Sequence, residues 1–157
     1  MEIKQQQTAL NIMLADDDID DCIFFEGSLE KSPIATNFIA VHDGKQLMEL
    51  LNREDYELPD VLFLDLNMPR KNGFECLSEI KLSEKLYRLP VIMFSTSNDQ
   101  DVVNRLYENG AHYFIRKPAA IEQFEKIIHN TLTIIAQKNI LQPSRENFVL
   151  GVEVKVD

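Results

Sequence analysis

The sequence predicts an α/β domain with a parallel sheet covered by helices on both faces, and three observations carry that prediction. Five short apolar runs recur, "NIMLA" at 11–15, "NFIAV" at 37–41, "VLFLD" at 61–65, "VIMFS" at 91–95 and "HYFIR" at 112–116, with the length and composition of strands. Between them, apolar residues repeat at i+3 or i+4, as in Phe74, Leu77 and Ile80, or Ile121, Phe124, Ile128, Leu132 and Ile135. The runs are almost continuously apolar rather than alternating, which suits strands buried on both faces and joined by right-handed crossover helices.

At 157 residues the chain fits one domain with a sizeable core. The first run empties into five carboxylates, Asp16, Asp17, Asp18, Asp20 and Asp21. Like charges this close are costly unless a cation or a helix N-terminus lies among them. Asp18, Asp20 and Asp21 fall at the expected start of the first helix, where carboxylates cap free N–H groups and face the positive end of the helix dipole.

Pro33 and Pro90 stand shortly before the second and fourth runs, and the third closes on Asp65 and a turn, "LNMPRKNG", shaped by Pro69 and Gly73. The fourth closes on Ser95-Thr96, and "STSND" has the residues to cap the fourth helix, which Gly110 ends in a left-handed conformation. The fifth closes on Lys117, and Pro143 is expected to break the last helix. The three central runs read as the most buried. Gln5 to Gln7 read as a frayed start, and "VEVKVD" at 152–157 alternates with the period of a half-exposed strand that could pair with a sheet edge, or as a mobile terminus. The expected division is a flexible 1–9, a domain over 10–138 and an extension over 139–157.

Net charge is -10 with pI near 4.7, and no basic cluster exceeds Arg70-Lys71 or Arg116-Lys117, which excludes the electrostatic footprint of a nucleic-acid binder. The sequence has no secretory h-region and no apolar stretch near the roughly 20 residues that span a bilayer, so a cytoplasmic protein without membrane contact is expected. Cys22 and Cys76 form no C-x-x-C pattern and read as buried helical thiols. His42, His112 and His129 lack metal-ligand spacing and read as surface or structural residues.

In an open parallel sheet, sites form at the carboxyl ends of the strands. There the sequence brings Asp16-Asp17, Asp65, Ser95-Thr96 and Lys117, a set suited to a divalent cation and a phosphoryl group, because Mg²⁺ prefers hard oxygen ligands and shares them with phosphate. Mg²⁺ and Lys117 would make Asp16 and Asp17 tolerable as a pair.

With "LADD", "VLFLDLNMPRKNGFE", "LPVIMFSTS" and "GAHYFIRKP" in that order, and Ser95 and Lys117 lying 30 and 52 positions after Asp65, residues 10–137 resemble a receiver domain of the two-component response regulators, of the stand-alone chemotaxis-regulator type. The resemblance implies a flavodoxin-like (βα)5 fold with strand order 2-1-3-4-5. It implies that Asp65 is the phosphoacceptor, Asp17 a direct Mg²⁺ ligand, Asp16 a more distant or water-mediated one, and Asn67 a ligand through its backbone carbonyl, with Mn²⁺ able to substitute. Lys117 would neutralise phosphoryl charge and precede a cis Pro118. Ser95 and Phe114 would be the switch pair, Phe114 lacking the hydroxyl of the more usual tyrosine, and Asn67 and Ser97 would tune hydrolysis. The implied partners are a sensor histidine kinase or histidine phosphotransfer protein and a downstream protein target, with homodimerisation expected through the fourth helix, fifth strand and fifth helix or through the C-terminal extension.

Two other readings are open to the sequence. A phosphatase of the haloacid dehalogenase type would use the D-x-D of "DDD" with Asp16 as nucleophile, but Asp20 occupies the place of that motif's Thr. A receiver-like scaffold that binds partners without phosphorylation would not need Asp65, Ser95 and Lys117 together.

Overall fold

The computed structural model describes residues 9–137 and 141–151. Strand and helix alternate as β1 (Leu10–Ala15), α1 (Ile19–Lys31), β2 (Thr36–Val41), α2 (Gly44–Leu51), β3 (Val61–Asp65), α3 (Gly73–Leu82), β4 (Val91–Ser95), α4 (Gln100–Glu108), β5 (Tyr113–Arg116) and α5 (Ile121–Ala136). A 3₁₀ turn (Arg145–Asn147) then leads into β6 (Val149–Leu150).

The sheet is parallel in the order β2-β1-β3-β4-β5-β6. Among the described residues it therefore has six strands where five were expected. The added strand is Val149–Leu150, whereas the alternating "VEVKVD" lies outside the described residues, as does the Gln5–Gln7 start.

Strand pleating divides the core. Met13, Ala15, Leu62, Leu64, Val91 and Met93 face α2, α3 and α4, meeting Leu47, Leu51, Leu77, Ile80, Val103 and Leu106. Their neighbours Ile12, Leu14, Val61, Phe63, Ile92 and Phe94 face α1 and α5, meeting Phe25, Leu29, Phe124, Ile128 and Leu132. Every residue of β3 and β4 is buried, as expected of strands covered on both faces. On the α1–α5 side, Phe25 packs edge-on against Phe63, Phe94 and Phe124 with centroids 4.8, 5.8 and 6.2 Å apart.

Local chemistry sets the helix ends. Asp18 accepts from the amides of Asp20 and Asp21, Asp43 caps α2, Asn72 and Glu75 form a reciprocal capping box on α3, and Asp99 caps α4. Gly110, with φ of 93°, follows α4 in the left-handed conformation that glycine adopts without a Cβ clash. The last helix stops at Ala136, well before Pro143, so the proline does not break it. Cys22 and Cys76 are buried free thiols on α1 and α3, and burial pushes them up to about 11 and about 12, which leaves both as inert packing groups at neutral pH. Among the described residues no helix is long and apolar enough to cross a membrane.

Candidate phosphoacceptor and metal site

The carboxyl ends of β1, β3, β4 and β5 deliver Asp16-Asp17, Asp65, Ser95 and Lys117 to one edge of the sheet. A carboxylate oxygen from each of Asp16, Asp17 and Asp65 lies within 4.8 Å of the other two. Asp16 is fully buried, Asp65 is 5 % exposed and Asp17 is open to solvent, so the group has a dry floor and a wet mouth. Three hard oxygen donors with one open side fit a divalent cation that keeps part of its water shell.

Lys117 binds this cluster from the side. Its Nζ lies 2.8 Å from Asp16 Oδ2, 2.8 Å from Asp21 Oδ2 and 3.6 Å from Asp65 Oδ1, and it sits 5.0 Å from the centre of the Phe94 ring. Burial alone would lower its pKa, but the hydrogen bonds it donates to Asp16 and Asp21 and the charge of Asp65 outweigh that and raise it. Lys117 is thus a permanent cation at the site.

Asp65 is pushed up to about 7, foremost by burial and further by the charge of Asp16, against the opposing pull of Lys117 and of the Asn67 backbone N–H. A buried carboxylate beside another carboxylate calls for more positive charge than one lysine supplies. A divalent cation held by these carboxylates would supply it.

The loop after β3 is held tightly. A Cβ on Gly73 would lie 2.3 Å from the Asp65 carbonyl oxygen and 2.8 Å from Leu66 Cα, so only glycine lets α3 start against the end of β3. The Gly73 amide donates to Leu66 O at 2.9 Å. Arg70 has φ of 69°, and Lys71 N–H bonds Pro69 O at 2.8 Å across it, a strained γ-turn in the loop after Asp65.

Ser95 is fully buried and its hydroxyl accepts from the Ser97 amide at 3.2 Å. Ser97 accepts from the Asp99 amide through its hydroxyl and from Arg116 Nε through its carbonyl, so it braces the turn into α4. Phe114 is fully buried on the α2–α4 side of the sheet. Asn67 is exposed at the mouth.

Three expectations change here. Asp21 is more than a helix-start charge, since it shares the Lys117 ammonium with Asp16. It sits in the first turn of α1, where side chains lean back toward the N-terminus, and that placement was the signal available for it in the sequence. The peptide before Pro118 is trans, as is every other described one, in keeping with the modest intrinsic preference of X-Pro bonds for trans. His42 is nearer the site than expected, its Nδ1 being 3.2 Å from the Asp16 carbonyl oxygen, while His112 is a buried core residue that accepts from the Val91 amide.

A parallel α/β sheet whose strand ends collect an acidic triad, a hydroxyl and a buried lysine offers the donors for a divalent cation and a phosphoryl group. The model of the response regulator receiver domain family matches residues 12–129, and the chain belongs to that family, a signalling module of two-component systems. It is similar to the response regulator Rcp1 of Synechocystis sp., with 32% identity over 121 residues covering 74% of this chain and 82% of that protein. It is also similar to the two-component response regulator ORR5 of Oryza sativa, with 31% identity covering 79% and 90% of the two chains. Among solved structures it resembles the phosphorylated cyanobacterial phytochrome response regulator RcpA, with a TM-score of 0.79 at 30% identity, covering 87% of this chain and all of that one. The Mn²⁺-bound form of Rcp1 superposes with a TM-score of 0.76 at 28% identity, covering 86% and 99%.

Proposed function

We propose that Asp65 accepts a phosphoryl group from a phosphohistidine of a sensor kinase or phosphotransfer protein, with Mg²⁺, and that the product alters a protein-binding face. The observation that carries this reading is the meeting of the Asp16, Asp17 and Asp65 carboxylates within 4.8 Å, with Lys117 Nζ 3.6 Å from Asp65 Oδ1.

An Asp65 carboxylate oxygen is the nucleophile. As its O–P bond forms, the P–N bond to the donor imidazole breaks, and the departing ring nitrogen keeps the electron pair and takes up a proton. The product is an aspartyl phosphate. Lys117 already lies beside Asp65 and needs only to trade its bonds to Asp16 and Asp21 for one to a phosphoryl oxygen. Mg²⁺, held by Asp16, Asp17, Asp65 and the Asn67 carbonyl, would supply the remaining charge neutralisation at the transferring group.

Ser95 would leave the Ser97 amide to donate to a phosphoryl oxygen, and Phe114 would turn in behind it. Asn67 and Ser97, beside the mouth, would set how readily water reaches the aspartyl phosphate. The trimmed pair, serine with phenylalanine, makes this a packing switch without the hydrogen bond that a tyrosine hydroxyl offers. The test is intact-protein mass after incubation with acetyl phosphate and Mg²⁺. One added phosphoryl group, absent in Asp65→Asn and with a chelator, supports the reading. No addition from acetyl phosphate or from any phosphohistidine donor overturns it.

A further inference from the structure

The α4–β5–α5 face, on which the family resemblance places protein contacts, is partly covered by the chain itself at α4 and β5. β6 continues the sheet beyond β5, with Phe114 opposite Val149 and Ile115 opposite Leu150, and the Phe114 amide donates to the Phe148 carbonyl at 3.0 Å. Phe148 is fully buried. Its ring meets Tyr107 edge-on at 5.1 Å and lies tilted against Phe114 at 6.5 Å.

The remaining ties are polar and run along α4. The Tyr107 hydroxyl donates to the Pro143 carbonyl at 2.7 Å, and Gln142 Nε2 donates to the Tyr107 and Ala111 carbonyls at 2.7 and 2.9 Å. Arg145 donates to Asn104 Oδ1 at 2.7 Å and to Gln100 Oε1 at 3.2 Å, with its guanidinium 5.9 Å from the Phe148 ring centre. These bonds are half-buried or exposed, so water competes with each, and the hydrophobic anchoring rests on the fully buried Phe148 ring with the half-buried Val149 and Leu150 beside it. An attachment of this kind is specific and reversible.

We propose that residues 141–151 are an intramolecular clasp, seated by strand addition in the α4–β5 groove, which competes with a protein partner for that face and loosens when Asp65 is phosphorylated. The partner it fits presents an extended segment with the clasp's chemistry: a cation, then an aromatic ring three residues on, then aliphatic residues that pair in parallel with β5. The loosening rests on the reading of Asp65 and Phe114 given above. Phe148 rests on Phe114, so an inward turn of that ring removes a wall of the pocket that holds the clasp.

The test uses full-length protein and a fluorescent peptide with the sequence of residues 141–151. A tethered segment acts at an effective concentration in the millimolar range, so wild type should bind the free peptide at least about tenfold more weakly than Phe148→Ala, whose own anchor is gone. The peptide carrying Phe148→Ala should bind neither. Equal affinity for wild type and variant, or no binding to a variant whose circular dichroism and phosphoryl uptake are intact, overturns the clasp. A variant that misfolds is replaced by a chain cut after Gln142, to which the same outcomes apply. A wild-type dimer in sedimentation that Phe148→Ala makes monomeric would overturn a clasp closed within one chain. Treatment with acetyl phosphate and Mg²⁺ should raise peptide binding by wild type and leave Asp65→Asn unchanged. Confirmed phosphorylation without that rise overturns the coupling, and absence of phosphorylation indicts the acceptor reading while the peptide comparison still decides the clasp.

Discussion

Replacing Asp65 by Asn in metal-free protein removes a carboxyl that the fold pushes from 3.8 to about 7, chiefly by burial and with the help of the Asp16 charge, against Lys117. The folded pKa is raised above the unfolded one, so between roughly pH 4 and 7 the folded state keeps a proton that the unfolded chain has released. Stability from this group therefore falls as pH rises through that window. At about 1.4 kcal/mol per unit, wild type loses about 2–3 kcal/mol from Asp65 between about pH 5 and pH 8. The side chain is only 7 % exposed, so solvent screening takes little from that figure. Urea unfolding followed by circular dichroism with EDTA, at both pH values, measures the effect as the difference between wild type and Asp65→Asn, in which titrations remote from the site cancel. The variant should be the more stable protein at the higher pH and lose that advantage at the lower. Parallel pH dependences in the two proteins would refute the reasoning, because Asp65 would then ionise in the fold as it does in water.

His112 acts in the opposite sense: burial, aided by the Lys81 charge, lowers it to about 4, so its contribution is complete above about pH 6.5 and is lost as pH falls towards 4. Nuclear magnetic resonance should show its imidazole neutral at about pH 5.5, and titration near 6.5 would contradict the burial argument. Gly73→Ala drives a Cβ into the Asp65 carbonyl and should cost about 2–3 kcal/mol in urea unfolding while weakening Mn²⁺ binding measured by calorimetry. Asp21→Asn removes one of the two carboxylates 2.8 Å from Lys117 and should cost about 1 kcal/mol, less than a fully buried pair because Asp21 is 24 % exposed. Unchanged unfolding would show that Asp16 alone holds the lysine.

The five-strand frame was legible because buried parallel strands leave continuous apolar runs, and the site because each central run stops on a residue that can do chemistry: Asp16, Asp65, Ser95 and then Lys117. What escaped is instructive in physical terms. β6 has two residues, too few to show any period, and its stability comes from Phe148 finding a cleft between α4 and β5 rather than from local propensity. Capping is a local rule and reads Asp21 as a helix-dipole charge, whereas its bond to Lys117 spans 96 positions. The γ-turn at Arg70 breaks the expectation that positive φ belongs to glycine or asparagine, and it falls in the loop that follows Asp65.

The central claim is that one carboxylate, Asp65, takes the phosphoryl group. Borohydride reduces an aspartyl phosphate to homoserine, so treating the phosphorylated protein with borohydride and mapping its peptides by mass spectrometry reads the acceptor directly. Conversion at Asp65 alone, dependent on Mg²⁺, is the predicted result. Conversion at Asp16 or Asp17, or a phosphorylated protein that yields no homoserine at Asp65, would contradict it.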